Sequence, residues 1–201
     1  MNKAVEVKAN FEQYKKLFLE INKDLNLISK NDEKYLYEKH ICDSLGIKLF
    51  FEQYNFIPET LLDIGTGGGF PALPIAIEYP NISVTGIDGT HKKIEAISRI
   101  AEELGLKNAK FINIRAEDLK GCLFDVVTSR ALGRLEKLIK YSHPRLKKGG
   151  YLVFYKSKTA EKELAEVGCL IKKLKLKICS SVRYELPLEE NYDRVLVVLR
   201  K

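Results

Sequence analysis

Apolar residues recur every three or four positions early in the chain: Phe11, Tyr14, Leu17, Phe18, Ile21, Leu25 and Ile28. That period lines them along one helix face and predicts a helical region over residues 5–54. Asn31-Asp32 interrupts the pattern, and the spacing predicts further helices over 33–42 and 44–54, ahead of Pro58. From residue 60 the rhythm changes. TLLDIG, ISVTGID, AKFINI, LFDVVTSR and GGYLVFYK read as short buried strands. PALPIAIEYP, HKKIEAISRIAEELG, LEKLIKYSHPRL and TAEKELAEVGCLIKKL read as helices between or after them. LKICSSVRYEL and DRVLVVLR follow as strands with only NYD and its neighbours between them, so they are expected to pair antiparallel. Strands alternating with helices predict an α/β fold, a doubly wound and mostly parallel sheet ending in an antiparallel C-terminal hairpin. The expected division is a helical N-terminal extension over 1–57, packed on an α/β domain over 58–201.

Composition narrows the class. No run approaches the roughly 18 uncharged apolar residues of a membrane helix. The start, MNKAVEVKANFEQY, lacks a signal-peptide core. The expectation is a cytoplasmic protein with no membrane partner. Cys42, Cys122, Cys169 and Cys179 form no C-x-x-C pair, and His40, His91 and His143 are dispersed, so no metal is expected. Thirty-four Lys and Arg against 27 Asp and Glu give a formal charge of +7, compatible with a polyanionic partner.

The candidate chemistry begins at LLDIGTGGGFPALP, the turn after the first strand. In a doubly wound sheet, ligands bind at that turn, beyond the carboxyl ends of the strands. Gly65, Gly67 and Gly69 permit positive φ and leave no Cβ in a ligand's way. The dinucleotide fingerprint G-x-G-x-x-G fails, because Phe70 or Ala72 stands where the third glycine belongs. The spacing is G-x-G-x-G, which resembles the first motif of class I S-adenosylmethionine (AdoMet) methyltransferases, with a Rossmann-like fold. The loop is then expected against the methionine end and adenosine of AdoMet, with Asp63 meeting its ammonium group directly or through water. Asp88 ends the next strand, about twenty residues on, where a carboxylate accepts ribose hydroxyls. RAEDL, residues 115–119, would border the adenine through the Ala116 backbone and Glu117. The same segment also reads as an ordinary acidic helix start.

Together DIGTGGGFPALPIAI, IDGTHKKIEAISRIAEELGL, RAEDL, FDVVTSRAL and the earlier NLISKNDEKYLYEKHICDSL resemble the bacterial 16S rRNA (guanine-N7) methyltransferase family, first named as glucose-inhibited division protein B. The resemblance runs from about Asn26 to Lys158. It implies methylation of N7 of one guanine in the decoding-site loop of small-subunit rRNA. AdoMet would be the donor and S-adenosyl-L-homocysteine the product, with no metal. The 30S ribosomal subunit would be the partner, and no obligate protein partner is evident. The family's AdoMet contacts fall on Gly65, Phe70, Ala116, Glu117 and Arg130, while Gly67, Gly69 and Asp88 match general class I positions. Two residues depart from the family's pattern: Ala72 replaces a glycine, and Lys39 replaces an arginine whose bidentate fork a lysine lacks.

Guanine N7 carries an in-plane lone pair and no proton, so its methylation needs no general base and orientation dominates. The residues expected at the reacting end are Arg130 and Lys156. Arg130 would bond guanine O6 or a phosphate, or close the AdoMet pocket. Its bland alternative is an ion pair with Glu117 or Asp88. Lys156 and Lys158 face the acceptor side or are solvated members of the YKSK run. Lys39, His40 and Asp43 are candidate RNA-facing residues; His40 and Asp43, one helical turn apart on one face, read equally as a core polar pair or as part of an active-site lid. The Phe70 ring is expected to wall the cofactor pocket. Phe11, Tyr14 and Phe18 read as packing. Three other functions stay in view: an AdoMet methyltransferase acting on another RNA, a protein or a small molecule; a nicotinamide oxidoreductase; and a non-enzymatic RNA-binding domain.

Overall fold

The computed structural model describes residues 9, 11–157, 159–188 and 193–201. Helix α1 (Glu12–Leu25) buries Tyr14, Leu17, Phe18 and Ile21 of the stripe the period predicts, while Leu25 at its end is exposed. It stops at Asn26, whose φ of 48° is left-handed. Leu27 and Ile28 lie beyond it yet remain buried. The Asn22 side chain holds that turn, accepting from Ile28 N at 2.9 Å and donating to Ile28 O at 3.3 Å.

The next stretch differs from the expected pair of α-helices. Lys30–Tyr35 is a 3₁₀ turn, Leu36–Cys42 a π-turn, and α2 (Asp43–Leu45) and α3 (Ile47–Tyr54) follow. The opening cap is Ser29, whose hydroxyl accepts from Asp32 N. The π and α segments both bury apolar residues, so their periodicity does not separate the two pitches, while Lys30–Tyr35 buries none.

The strands follow the predicted order: β1 (Thr60–Ile64), α4 (Ala72–Glu78), β2 (Ser83–Asp88), α5 (His91–Glu103), β3 (Ala109–Asn113), β4 (Phe124–Arg130), α6 (Leu135–Ser142) and β5 (Leu146–Lys156). The helix expected after β5 is two, α7 (Ala160–Glu166) and α8 (Gly168–Lys173), and β6 (Lys177–Glu185) and β7 (Asp193–Arg200) end the fold. The sheet order is β3-β2-β1-β4-β5-β7-β6. β1 to β5 pair parallel, and β7 runs antiparallel to both β5 and β6. Chain order reverses between β1 and β4, so the cleft opens at their carboxyl ends.

The central strands are apolar on both faces because helices cover both. Along β5, Tyr151, Val153 and Tyr155 join the core under α3 and α4, while Leu152 and Phe154 join the core under α6 and α8. A third cluster joins α1, Leu36 and Ile41 to Ile94, Ile97 and Ile100 of α5 and to Phe70 of the glycine loop. The N-terminal helices therefore share their core with the segment that carries the candidate site.

Gly46, between α2 and α3, lies against the Tyr184 ring of β6: a Cβ there would fall 2.6 Å from Tyr184 Cζ. The ring is buried and has no room to retreat. Gly46→Ala should lower stability by about 1–3 kcal/mol. Gly168→Ala is the control, since its Cβ would meet nothing within 4 Å. Equal urea midpoints for the two variants would contradict this packing.

Candidate active site

The loop after β1 is built backward onto β2. Gly65 and Thr66 both donate their amides to Ile87 O at 2.9 Å, and Gly69 and Phe70 donate to Thr66 O. Gly65, Gly67 and Gly69 have φ of 72°, 56° and 86°. The three glycines are demanded differently. A Cβ on Gly65 would meet Leu132 at 2.7 Å and one on Gly69 would meet Leu73 at 2.5 Å. On Gly67 the nearest atom is Gly65 O at 3.9 Å, so there the neighbouring space is open.

Two hollows of about 340 Å³ each meet at this loop. One is lined by Gly65, Asp88, Ala116, Glu117, Leu132 and Tyr141 among others. The other is lined by Ser29, Asp32, His40, Gly67, Phe70 and Arg130 among others. Gly65, Asp88 and Leu132 border both. Asp88 Oδ2 accepts from Gly67 N at 3.0 Å and Oδ1 from Thr90 N at 2.8 Å, so its carboxylate is fixed between the hollows. Residues 116–118 form a turn rather than a helix start. Glu117 accepts from Tyr141 Oη at 2.5 Å, and that bond holds its carboxyl below the usual range.

Asp63 sits beneath the loop with no exposed surface. Its Oδ1 accepts from Thr128 Oγ1 at 3.2 Å. Its Oδ2 is buried and reaches no partner in hydrogen-bond geometry, although Thr66 and Ala72 flank it. Burial raises its pKa to about 6, against smaller opposing effects from these neighbours and Arg130.

At the other end, Arg130 closes β4 and meets the N-terminal helices. Its Nη1 donates to Asp43 Oδ2 at 3.1 Å and to Lys39 O at 3.4 Å, and its Nη2 lies 3.0 Å from His40 Nδ1. A guanidinium only donates, so Nδ1 accepts and the His40 proton sits on Nε2. Burial and the Arg130 charge push the His40 pKa down to about 4. The Arg130 partner is thus Asp43, not Glu117 or Asp88. Phe70 lines the second hollow and is largely enclosed among Tyr14, Phe18, His40 and Arg130, whose guanidinium stands 5.0 Å above the ring.

Asp43, a candidate RNA-facing residue in the sequence, is instead buried and accepts four hydrogen bonds from side chains of the sheet. Arg194, at the start of β7, donates through Nε to Oδ1 at 2.8 Å and through Nη2 to Oδ2 at 2.9 Å. Tyr184 Oη donates to Oδ1 at 2.6 Å. Burial alone would raise the Asp43 pKa; Arg194, Arg130 and these hydrogen bonds hold it below the usual value. Sequence reasoning missed both Arg194 and Tyr184, because a single arginine or tyrosine in a strand carries no pattern.

Lys39 pairs with Asp32 at 3.0 Å on the rim of the second hollow. Lys156 borders neither hollow. Its Nζ is held by Glu163 at 2.7 Å and donates to Gly133 O at 2.9 Å, tying α7 to the turn after β4. Lys158 lies outside the described residues. Among the described residues, no group of three or more His, Cys, Asp or Glu is placed to hold a metal ion.

The model of the rRNA small subunit methyltransferase G family matches residues 7–187. The chain is 37% identical over 198 residues to ribosomal RNA small subunit methyltransferase G of Staphylococcus epidermidis, covering 96% of this chain and 82% of that one. It is 35% identical over 196 residues to the protein of that name from Leuconostoc citreum, covering 95% and 81%. In fold it is similar to the ribosomal protein L11 methylase of Lactobacillus delbrueckii, with a TM-score of 0.59, 18% identity and coverage of 79% and 78%.

The Asp63 carboxyl gives a test that needs no substrate. Its pKa is ordinarily 3.8 and about 6 in the fold, so the folded chain holds the proton more tightly and ionisation opposes folding. The penalty is absent below about pH 4, grows between about pH 4 and 6, and is complete above. Asp63→Asn should therefore gain on the order of 2–3 kcal/mol over the parent at about pH 7 and little at about pH 4. Urea titrations showing the same difference at both pH values would overturn the assignment.

Proposed function

The chain belongs to the rRNA small subunit methyltransferase G family, and from that premise we propose that it transfers the methyl group of AdoMet to N7 of a guanine in the decoding-site loop of 16S rRNA, in the 30S subunit. The observation that carries this reading is the pair of hollows joined at Asp88 and Gly65: one side suits a nucleoside, and the other ends at Arg130 and the N-terminal helices. The residues fit the cofactor. Asp88 offers a fixed carboxylate to ribose hydroxyls, and Ala116 and Glu117 border the place for adenine. Gly67 leaves the loop open where a side chain would intrude, and the unsatisfied Asp63 Oδ2 suits an ammonium group, directly or through water.

When bound, AdoMet supplies a methyl carbon activated by its sulfonium. The chain's own task is orientation. Guanine N7 has no proton to remove, and the polar groups here are not arranged to take one. His40 is neutral at physiological pH and spends Nδ1 on Arg130. Arg130 uses both Nη1 hydrogens and one on Nη2, which leaves the Nε–H and a second Nη2–H for guanine O6 or a phosphate. Lys39 and Asp32 stand at the rim, where rRNA would enter. Lys156 acts by bracing α7 rather than by touching substrate. No helix of the described residues is long and apolar enough to cross a membrane; the proposed rRNA substrate is what favours a cytoplasmic reaction.

Incubation with labelled AdoMet and 30S subunits lacking the modification should yield one 7-methylguanine in the decoding-site loop, located by mass mapping. No transfer, or label on another atom, would sink the proposal. Arg130→Ala should remain folded and lose on the order of 100-fold in turnover. Turnover near the parent's would remove Arg130 from the reacting end.

A further inference from the structure

Two guanidinium groups share one buried carboxylate in this protein. Arg130 and Arg194 both bond Asp43, and the side chains are 12%, 14% and 4% exposed. Tyr184 adds a hydrogen bond but no charge. His40, the other group on Arg130, is neutral. Arg130, Arg194 and Asp43 taken together therefore carry one surplus positive charge, and the Asp63 carboxylate beneath the loop, which also acts on Arg130, is the same in every variant below. Arg194 takes Asp43 in a two-pronged grip, while Arg130 has a single bond to it and faces the hollow. In a dry site, the division of that carboxylate decides how much of the Arg130 charge a ligand meets.

We propose that Arg194 is a positioning residue: by occupying Asp43, it keeps Arg130 from closing a neutral bidentate pair and so presents the Arg130 guanidinium to the acceptor hollow. Without Arg194, Asp43 has only one cation to engage, and bidentate pairing is the strong geometry for arginine and carboxylate. Arg130 would then turn from His40 and the hollow toward Asp43. What the site requires is an Arg130 guanidinium that Asp43 does not neutralise, and Arg194 secures this through both its charge and its fork.

This rests on the methyl-transfer reading and makes a signed prediction. Arg194→Met makes the cluster neutral. Asp43→Asn leaves two cations with no carboxylate, the costliest state for the fold. The double variant restores one surplus charge. At a temperature where circular dichroism shows every variant folded, Arg194→Met should lower kcat by about tenfold or more, with smaller effect on KM. Adding Asp43→Asn to it should recover several-fold of that loss. A bystander Arg194 gives a double variant no faster than Arg194→Met, which overturns the proposal.

A second readout needs no turnover. His40 is one of three histidines, and the charged groups that set its titration are Arg130, Asp32, Asp43 and Lys39. Its NMR titration midpoint should rise in Arg194→Met, as Arg130 withdraws, by about half a unit or more, and fall back in the double variant. If the parent makes no 7-methylguanine but the midpoints follow this pattern, the functional reading fails and the charge sharing stands. If 7-methylguanine is made and the midpoints do not move, the charge sharing fails. Arg194→Lys, which keeps the charge but loses the fork, should fall between parent and Arg194→Met in kcat.

Discussion

The Asp43 carboxylate is the meeting point of three parts of the chain. It comes from α2, it is held by Arg130 at the end of β4, and it is gripped by Arg194 and Tyr184 of the terminal hairpin. A buried carboxylate is tolerable only when its charge and lone pairs are met, and removing one partner from such a pair is strongly destabilising. The N-terminal helices, the sheet centre and the hairpin must therefore arrive in fixed relation. Tyr155 adds a further tie, donating to Ser44 O at 2.6 Å. Gly46 serves the same junction by letting the Tyr184 ring approach.

This junction explains how a fold shared with many proteins acquires a particular working end. The half of the cleft lined by Asp88, Ala116 and Glu117 is built from strand ends, the turns after them and α6, without the N-terminal helices. The half lined by Ser29, Asp32, His40 and Arg130 needs the N-terminal helices. The π-turn matters here, since it brings Lys39 O, His40 Nδ1 and Asp43 Oδ2 to one guanidinium. Phe70 links the halves: it belongs to the glycine loop, yet its ring packs on α1 and under Arg130.

Much of this was legible in sequence. Alternation of apolar runs and amphipathic stretches located the strands, because burial on both faces leaves a dense signal, and the short gap before DRVLVVLR foretold the antiparallel hairpin. The glycine spacing, Asp88 and the RAEDL turn do converge on adjoining hollows. What was not legible depends on distance. Arg194 lies 151 positions from Asp43, and no local rule connects them. Arg130 was foreseen but its partner was not, for the same reason. Lys156 read as an acceptor-side residue from its place after β5, whereas Glu163, on the next helix, claims it. Helical pitch over 36–42 was hidden because π and α turns present similar apolar faces, and Lys30–Tyr35 has no buried residue to carry a pattern.

The direction of β7 has its own consequence. A parallel strand would reach the working end with its last residue; β7, running against β5, reaches it with its first described residues and then travels away. Arg194 thus joins a carboxylate laid down near the start of the chain, through one of the longest sequence separations in the molecule. Contacts of that span cost more chain entropy to close than local ones. A chain whose sheet centre is formed but whose hairpin is undocked would hold a carboxylate with one cation instead of two. Pairing of the terminal hairpin therefore also sets the charge of the reacting end.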